Sequence, residues 1–402
     1  MALKFHIQDA TTNAEKVAVR ALLRAAFEVR PGVGDAFAHL YDQVLKTPAC
    51  SRIAVSEGRV IGHALLASRM FALEDGALPG GIVAMVAVEE AFRGQGIGRA
   101  LIDDVDALAR DQGMVLLQVA GDPRLYTKFG FIPSYVEAKA EMVIEKAPCD
   151  DALRLATSED VSMLAELSLA ENVIGAVVAD EGRWQWVMET EHPKAMLQCN
   201  NQLLGVYAQG DACLLLDDVG FVRVCWGEDT LVVYEAGCVR KIDRDRLLKA
   251  CLVWGYRNGC RLLLAILPPQ NRFLVAMSQF GARVKIQEDY ELQAKVLDVP
   301  RFLMAMSEVF SVRLQSYEGQ GRLGLSVGDV FVELVVGEGI RVRQVDRMVN
   351  VDWHLVLSEG AMTRVLLGVD TLQDPEGDPV LDGLLACLFP KRGPSFWLSD
   401  SL

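Results

Sequence analysis

Val86-Ala87-Val88-Glu89-Glu90-Ala91-Phe92-Arg93-Gly94-Gln95-Gly96-Ile97-Gly98-Arg99-Ala100 joins an apolar strand to a helix through a turn rich in glycine. Without a Cβ, Gly94, Gly96 and Gly98 can take backbone angles closed to other residues, so the amides from Arg93 to Gly98 can converge on one anion. The helix that follows aims its unsatisfied first-turn N–H groups and the positive end of its dipole at the same point. Arg93 and Arg99 add fixed positive charge. A diphosphate suits such a turn; the alternative is a glycine-rich helix entry with no ligand. A P-loop is excluded, because Arg99-Ala100 stands where Lys and then Ser or Thr would follow the last glycine. Nor is the spacing G-x-G-x-x-G at the head of a βαβ unit with an acid about 20 residues on.

At 402 residues the chain exceeds one ordinary core, and about 100 to 200 residues per domain implies two to four domains. No apolar run approaches the roughly 18 residues that would span a bilayer, and Met1 to Asp9 has no signal-like apolar segment, so a cytoplasmic protein is expected. The nine cysteines are odd in number and never spaced C-x-x-C, which reads as reduced core residues. The five histidines are scattered and no metal site is expected. A formal charge of −14 argues against nucleic acid as a partner and suits a cationic small substrate.

Apolar periodicity predicts helices over Asn13 to Phe27 and Asp35 to Leu45, then a hairpin of strands Arg52 to Ser56 and Val60 to Ala67 around Glu57-Gly58-Arg59. Pro79-Gly80-Gly81 opens a strand from Ile82 to Val88. The glycine turn then leads a helix with Leu101, Ile102, Val105, Leu108 and Ala109 on one face, ended by Gly113. A strand over Met114 to Ala120, a short helix near Pro123 and a strand over Glu137 to Ile144 follow. Phe129 and Phe131 read as core.

The spacing Arg93-x-x-Gly96-x-Gly98 and this element order resemble the GNAT superfamily of N-acetyltransferases over residues 4 to 148. The resemblance implies that the glycine turn holds the pyrophosphate of acetyl-CoA through Arg93, Gly94, Gln95, Gly96, Ile97, Gly98 and Arg99. It implies a bulge in the preceding strand, with Val86, Ala87 and Val88 holding the pantetheine arm and the thioester carbonyl. An ordinary core strand explains those side chains equally well. When an amine attacks a thioester the expelled thiolate needs a proton, and a phenol of pKa about 10 is suited to supply it. By the same resemblance Tyr126, in Asp122-Pro123-Arg124-Leu125-Tyr126, is the candidate acid; packing alone is its other reading.

From Cys149 the pattern restarts. Asp151 to Ala156 reads as a strand and Ser158 to Leu169 as a helix capped by Ser158; strands follow between Ala195 and Tyr234. A helix over Asp243 to Trp254, a strand over Arg261 to Leu267 and a helix over Asn271 to Phe280 complete the stretch. Leu116-Leu117-Gln118-Val119 matches Leu263-Leu264-Ala265-Ile266, and Phe129-Gly130 matches Phe280-Gly281, as if one fold were used twice. Where the glycine turn would stand there is Glu235-Ala236-Gly237-Cys238-Val239-Arg240-Lys241, and Met277 takes the place of Tyr126. The third stretch has a helix from Pro300, strands over Leu323 to Val327, Val330 to Val336, Ile340 to Gln344 and Val351 to Leu357, and closing helices over Glu359 to Leu367 and Val380 to Phe389. The apolar tail Phe396-Trp397-Leu398 is expected to dock on the body.

The expected fold class is α+β: residues 1–148 a catalytic GNAT domain, 149–298 a degenerate GNAT-like domain that does not bind acetyl-CoA, and 299–402 a sterol-carrier-like domain with its tail. That order resembles the Eis (enhanced intracellular survival) acetyltransferases. The resemblance implies a hexamer and a C-terminal carboxylate, here Leu402, as general base facing Tyr126. It implies transfer to a primary amine of an aminoglycoside, a polyamine-like cation or lysine, with no metal. Glu28, Asp35 and Asp400 are candidate acids for a cationic pocket. Leu402 is aliphatic where the family often ends in phenylalanine, and Gly121-Asp122-Pro123 is more like single-domain GNAT relatives. A protein N-acetyltransferase, or a non-catalytic acetyl-CoA- or lipid-binding scaffold, are the alternatives.

Overall fold

The computed structural model describes residues 3–29, 32–74, 76–145, 152–169, 176–189, 210–240 and 242–391. The first stretch runs β1 (His6–Asp9), α1 (Asn13–Phe27), α2 (Val33–Val44), β2 (Ala49–Ser56), β3 (Arg59–Leu73), β4 (Gly76–Val88), α3 (Ile97–Asp111), β5 (Leu116–Ala120), α4 (Pro123–Tyr126) and β6 (Ile132–Val143). Helix α1 starts where Thr12 and Glu15 cap each other reciprocally, satisfying two amides that the first turn leaves open. Its buried Val19, Leu22 and Leu23 lie on one face of the sheet with α2, while α3 covers the other with Leu101, Ile102, Val105 and Ala109.

Several boundaries differ from the periodicity: β3 runs on to Leu73, past the expected Ala67, and β6 starts at Ile132, before the expected Glu137. Strand β1, four residues with no buried side chain, gives no apolar alternation to read. Pro79-Gly80-Gly81 lies inside β4 and does not open it. There the glycines make room: a Cβ on Gly80 would sit 2.3 Å from the Leu116 carbonyl oxygen and 2.6 Å from the Phe71 ring.

The second stretch runs β7 (Arg154–Leu155), α5 (Val161–Leu169), α6 (Glu181–Glu189), β8 (Gly210–Leu216), β9 (Gly220–Gly227), β10 (Thr230–Cys238), α7 (Asp243–Arg257), β11 (Leu262–Leu267), α8 (Arg272–Gln279) and β12 (Arg283–Val296). The cap before α5 is Thr157, paired with Asp160 in a capping box, where Ser158 was expected. Glu235 to Cys238 belong to strand β10 and make no turn, because Glu235, Ala236, Gly237 and Cys238 are all buried between neighbours.

All twelve strands form one mixed sheet in the order β1-β2-β3-β4-β5-β12-β6-β11-β10-β9-β8-β7. The closing strands are exchanged: β12 inserts between β5 and β6, and β6 pairs on its far side with β11. Each half therefore supplies a central strand to the other.

The third stretch runs α9 (Val299–Ala305), α10 (Ser307–Arg313), β13 (Gly321–Val327), β14 (Val330–Val336), β15 (Ile340–Val345), β16 (Trp353–Leu357), α11 (Glu359–Leu366) and α12 (Pro379–Leu388). Its sheet, β15-β14-β13-β16, buries Leu323, Leu325, Val332 and Leu334 against Phe302, Phe310, Leu384 and Leu385. The fold is thus mixed α+β, a large sheet with a second small one. Among the described residues no helix is long and apolar enough to cross a membrane.

Candidate active site

Strand β4 pairs with β5 only from Gly80–Leu116 to Val83–Val119. Beyond Val83 the two parallel strands part, and Ala84 to Val88 have no ladder on that side. On the other side the β3–β4 register slips between Leu65–Ala84 and His63–Ala87, so Ala64 faces both Met85 and Val86. This is a β-bulge, with Met85 at φ +52°. A left-handed residue with a side chain costs about 1–2 kcal/mol, so the surrounding structure holds it there. The bulge lies at Met85–Val86, overlapping the three expected residues Val86, Ala87 and Val88 at Val86 and beginning one residue before them.

The turn from Arg93 to Gly98 follows a short 3₁₀ turn over Glu90–Phe92. Gly94 (φ +76°) and Gly96 (φ +84°) are left-handed, and Gly96 is the N-cap of α3. Gly98 is not left-handed, contrary to the expectation for all three. Among the described residues a Cβ there would meet only Val88 Cγ2, at 3.7 Å, so its smallness leaves open space instead of permitting a strained angle. No side chain caps α3 and its first turn holds no acid. Arg93 Nε donates to Val88 O at 3.2 Å, tying turn to bulge. Arg99 lies over the Phe129 ring at 5.7 Å. Phe129 is therefore half-buried under a cation, whereas Phe131 is core as expected.

Asp122 caps α4 through the amide of Arg124 at 2.9 Å. Tyr126 ends that helix half-buried, its ring edge-on to Phe131 at 6.1 Å and so close to Gly121 that a Cβ there would lie 2.8 Å from its Cε2. Burial pushes its phenol up to about 12, and among the described residues nothing hydrogen-bonds its Oη. Val86, Val88, Phe92, Tyr126 and Phe129 line the rim of one apolar cluster. Bulge, glycine turn and tyrosine are thus brought together.

Sequence reasoning missed what holds the tyrosine's niche. Gly121 N donates to Glu291 O at 2.9 Å, and Gln293 Nε2 donates to Gly121 O at 2.9 Å, both from the exchanged strand β12. Residues 170 apart leave no local signal of this pairing. Glu28 and Asp35 are otherwise engaged: Glu28 accepts from the amides of Gly32 and Gly34 at 2.9 and 2.7 Å, and Asp35 pairs with Arg24 at 2.6 Å. Asp400, Leu402 and the tail Phe396-Trp397-Leu398 lie outside the described residues. Among the described residues no group of three His, Cys, Asp or Glu is placed to hold a metal ion.

The second stretch repeats the backbone device and closes it. Strand β10 pairs with β11 from Thr230–Leu262 to Val233–Ala265 and slips register against β9 between Val233 and Glu235. Into that region Glu235 brings a buried carboxylate, bonded at 3.0 Å by both Arg183 and Arg223. Asn271 Nδ2 donates to Ala236 O at 2.9 Å and Arg272 Nη1 to Cys238 O at 2.6 Å, so strand carbonyls are already engaged. Met277 is fully buried. Glu235→Ala should cost about 3–5 kcal/mol, because it strips a carboxylate from two buried guanidiniums; denaturant unfolding measures it, and loop-dependent ligand binding in the first stretch should be unchanged at native temperatures.

Comparison with known proteins bears on the same region. Residues 49–133, the part of the chain that carries bulge, glycine turn and tyrosine, match the family model described as Acetyltransferase (GNAT) domain. The uncharacterized N-acetyltransferase YhbS of Escherichia coli is 34% identical over 117 residues, which cover 28% of this chain; the chain spans 65% of the length of that relative. Over its full length the chain folds like Eis1 from Mycobacterium abscessus, at a TM-score of 0.65 and 15% identity, covering 97% of this chain and 98% of that one. A GCN5-related N-acetyltransferase from Kribbella flavida is similar to the same extent, with a TM-score of 0.71, 18% identity and coverage of 98% and 99%.

Proposed function

We propose that the protein is an acetyl-CoA-dependent N-acetyltransferase acting on a primary amine. The observation that carries the reading is the coincidence, at one splayed strand end, of a bulge where β4 has parted from β5, a helix start behind a left-handed glycine turn with no side-chain cap, and a phenol that no described residue hydrogen-bonds. The diphosphate of acetyl-CoA would rest on the amides of Arg93 to Arg99, and the amides at Val86 to Val88 would polarise the thioester carbonyl. An amine attacks that carbonyl, the C–S bond breaks, and Tyr126 gives its proton to the leaving thiolate. Burial keeps the Tyr126 proton in place through the whole neutral range.

For the base, the proposal assigns the α-carboxylate of Leu402 on family likeness alone, with a cationic aminoglycoside, polyamine or lysine as acceptor. The second stretch is assigned a structural role without acetyl-CoA: its own splay is closed by Glu235 and Asn271, while its β12 holds Gly121 beneath Tyr126. The third stretch is assigned to a sterol-carrier-like fold. Incubation of the full chain with acetyl-CoA and separate panels of small polyamines, aminoglycosides and lysine peptides, followed by free-thiol release, tests the function. Thiol release with one panel is expected; acetyl-CoA binding without turnover on any panel would favour a scaffold, and no binding would end the reading.

A further inference from the structure

Behind the bulge, on the face covered by α1 and α2, three buried polar side chains are linked to one another. His63 and Tyr41 are fully buried and Ser51 nearly so. Tyr41 Oη and Ser51 Oγ lie 2.9 Å apart, Ser51 Oγ and His63 Nε2 3.1 Å, and His63 Nδ1 and Met85 O 2.9 Å. The ring of Tyr41 stands edge-on to that of His63 at 5.3 Å. Burial lowers the His63 pKa to about 4, so above pH 5 the imidazole is neutral and has one proton to place. A carbonyl can only accept; the proton therefore sits on Nδ1 and goes to Met85 O. Nε2 must then accept from the Ser51 hydroxyl, and Ser51 Oγ from that of Tyr41. The chain has one consistent direction, and it ends on the left-handed residue of the bulge.

The consequence lies on the other side of the same peptide. Within a trans peptide the C=O and the following N–H point in opposite directions. With Met85 O held toward His63, the amide of Val86 is turned away from α1 and α2, at the point where β4 has parted from β5. We propose that His63 is a positioning residue for catalysis: through Met85 O, the Tyr41–Ser51–His63 chain fixes the Val86 amide in the orientation that receives the thioester oxygen of acetyl-CoA. This rests on the reading of the first stretch as an acetyl-CoA site. A histidine that is only a satisfied core residue would contribute stability and nothing to the carbonyl.

The test compares three substitutions in the full chain. His63→Asn keeps a donor where Nδ1 was; His63→Gln can still reach Ser51 but loses the donor to Met85; His63→Leu loses both. The probe is acetyl-CoA labelled with ¹³C at the thioester carbonyl, with its Kd from calorimetry and its bound carbonyl stretch from difference infrared spectroscopy. The wild type and His63→Asn should lower the stretch relative to free acetyl-CoA, whereas His63→Gln and His63→Leu should return it toward the free value. Kd should change less than about threefold, because the diphosphate grip at Arg93 to Arg99 is untouched, while thioester turnover falls at least tenfold in Gln and Leu, in keeping with the loss of an aligned oxyanion donor. Should His63→Leu fail to fold, the Asn and Gln pair carries the comparison. An identical bound stretch in wild type, Asn and Gln would overturn the proposal, as would turnover that follows thermal stability regardless of which variant keeps the donor. Failure of the folded wild type to bind acetyl-CoA would overturn the underlying reading, and this inference with it.

Discussion

With acetyl-CoA and an accepted amine, Tyr126→Phe should lower kcat by about 10²–10³-fold and leave KM for acetyl-CoA nearly unchanged, the range expected when a general acid is removed. The substitution is close to silent for the fold. The ring is what contacts Gly121 and Phe131, and phenylalanine keeps the ring; only Oη, which hydrogen-bonds none of the described residues, is lost. The pH dependence gives a second reading of the same group. Burial raises the phenol from its ordinary 10 to about 12, so the acid form persists through the assay range and no alkaline decline in rate before about 12 can come from Tyr126. Linkage fixes the sign for stability. Between 10 and 12 the unfolded chain has released this proton and the folded chain has not, so stability from this group is complete below 10 and is lost as pH rises through the folded pKa. Unfolding by urea at pH 9 and pH 11 should therefore show a smaller alkaline loss in Tyr126→Phe than in the wild type. Wild-type kcat in the phenylalanine variant would remove the tyrosine from the chemistry.

What the sequence made legible follows the range of the interaction. Helices α1, α3 and α8 stand within a residue or two of their periodic stretches, because an apolar stripe and a capping residue are local signals. Phe131 was legible as core and the glycine turn as a helix entry. Caps were legible only as a class: Thr157 and Ser158 are adjacent hydroxyls, and the choice falls to Thr157 because its reciprocal partner is Asp160. Strand exchange had no local trace. β12 reads as a mixture of charged and apolar residues, and its place between β5 and β6 is set by partners more than about 140 residues away in the chain. The His63 chain is a similar case: each of Tyr41, Ser51 and His63 is unremarked alone, and only tertiary folding brings α2, β2 and β3 together beneath the bulge.

Gly98 separates a ligand site from a merely glycine-rich helix entry, because the two readings predict opposite signs for one substitution. In Gly98→Glu the new Cβ meets, among the described residues, only Val88 Cγ2 at 3.7 Å, an ordinary contact, and no left-handed angle is disturbed. Replacing glycine within a helix gains up to about 1 kcal/mol, and an acid in a first turn that has none gains about 0.3–1 kcal/mol from the helix dipole. Thermal stability should therefore hold or rise. Binding should collapse for the same electrostatic reason: the carboxylate occupies the space above the α3 amides and places a negative charge where a diphosphate would sit, so Kd for acetyl-CoA should rise at least about 100-fold by the repulsion of like charges at close range. Gly98→Ala is the companion, adding one methyl group into the same opening with no charge, and should change Kd far less. Calorimetric titration of the three proteins with CoA and acetyl-CoA decides it. A stable Gly98→Glu protein that binds acetyl-CoA as tightly as the wild type would place the diphosphate somewhere other than the start of α3.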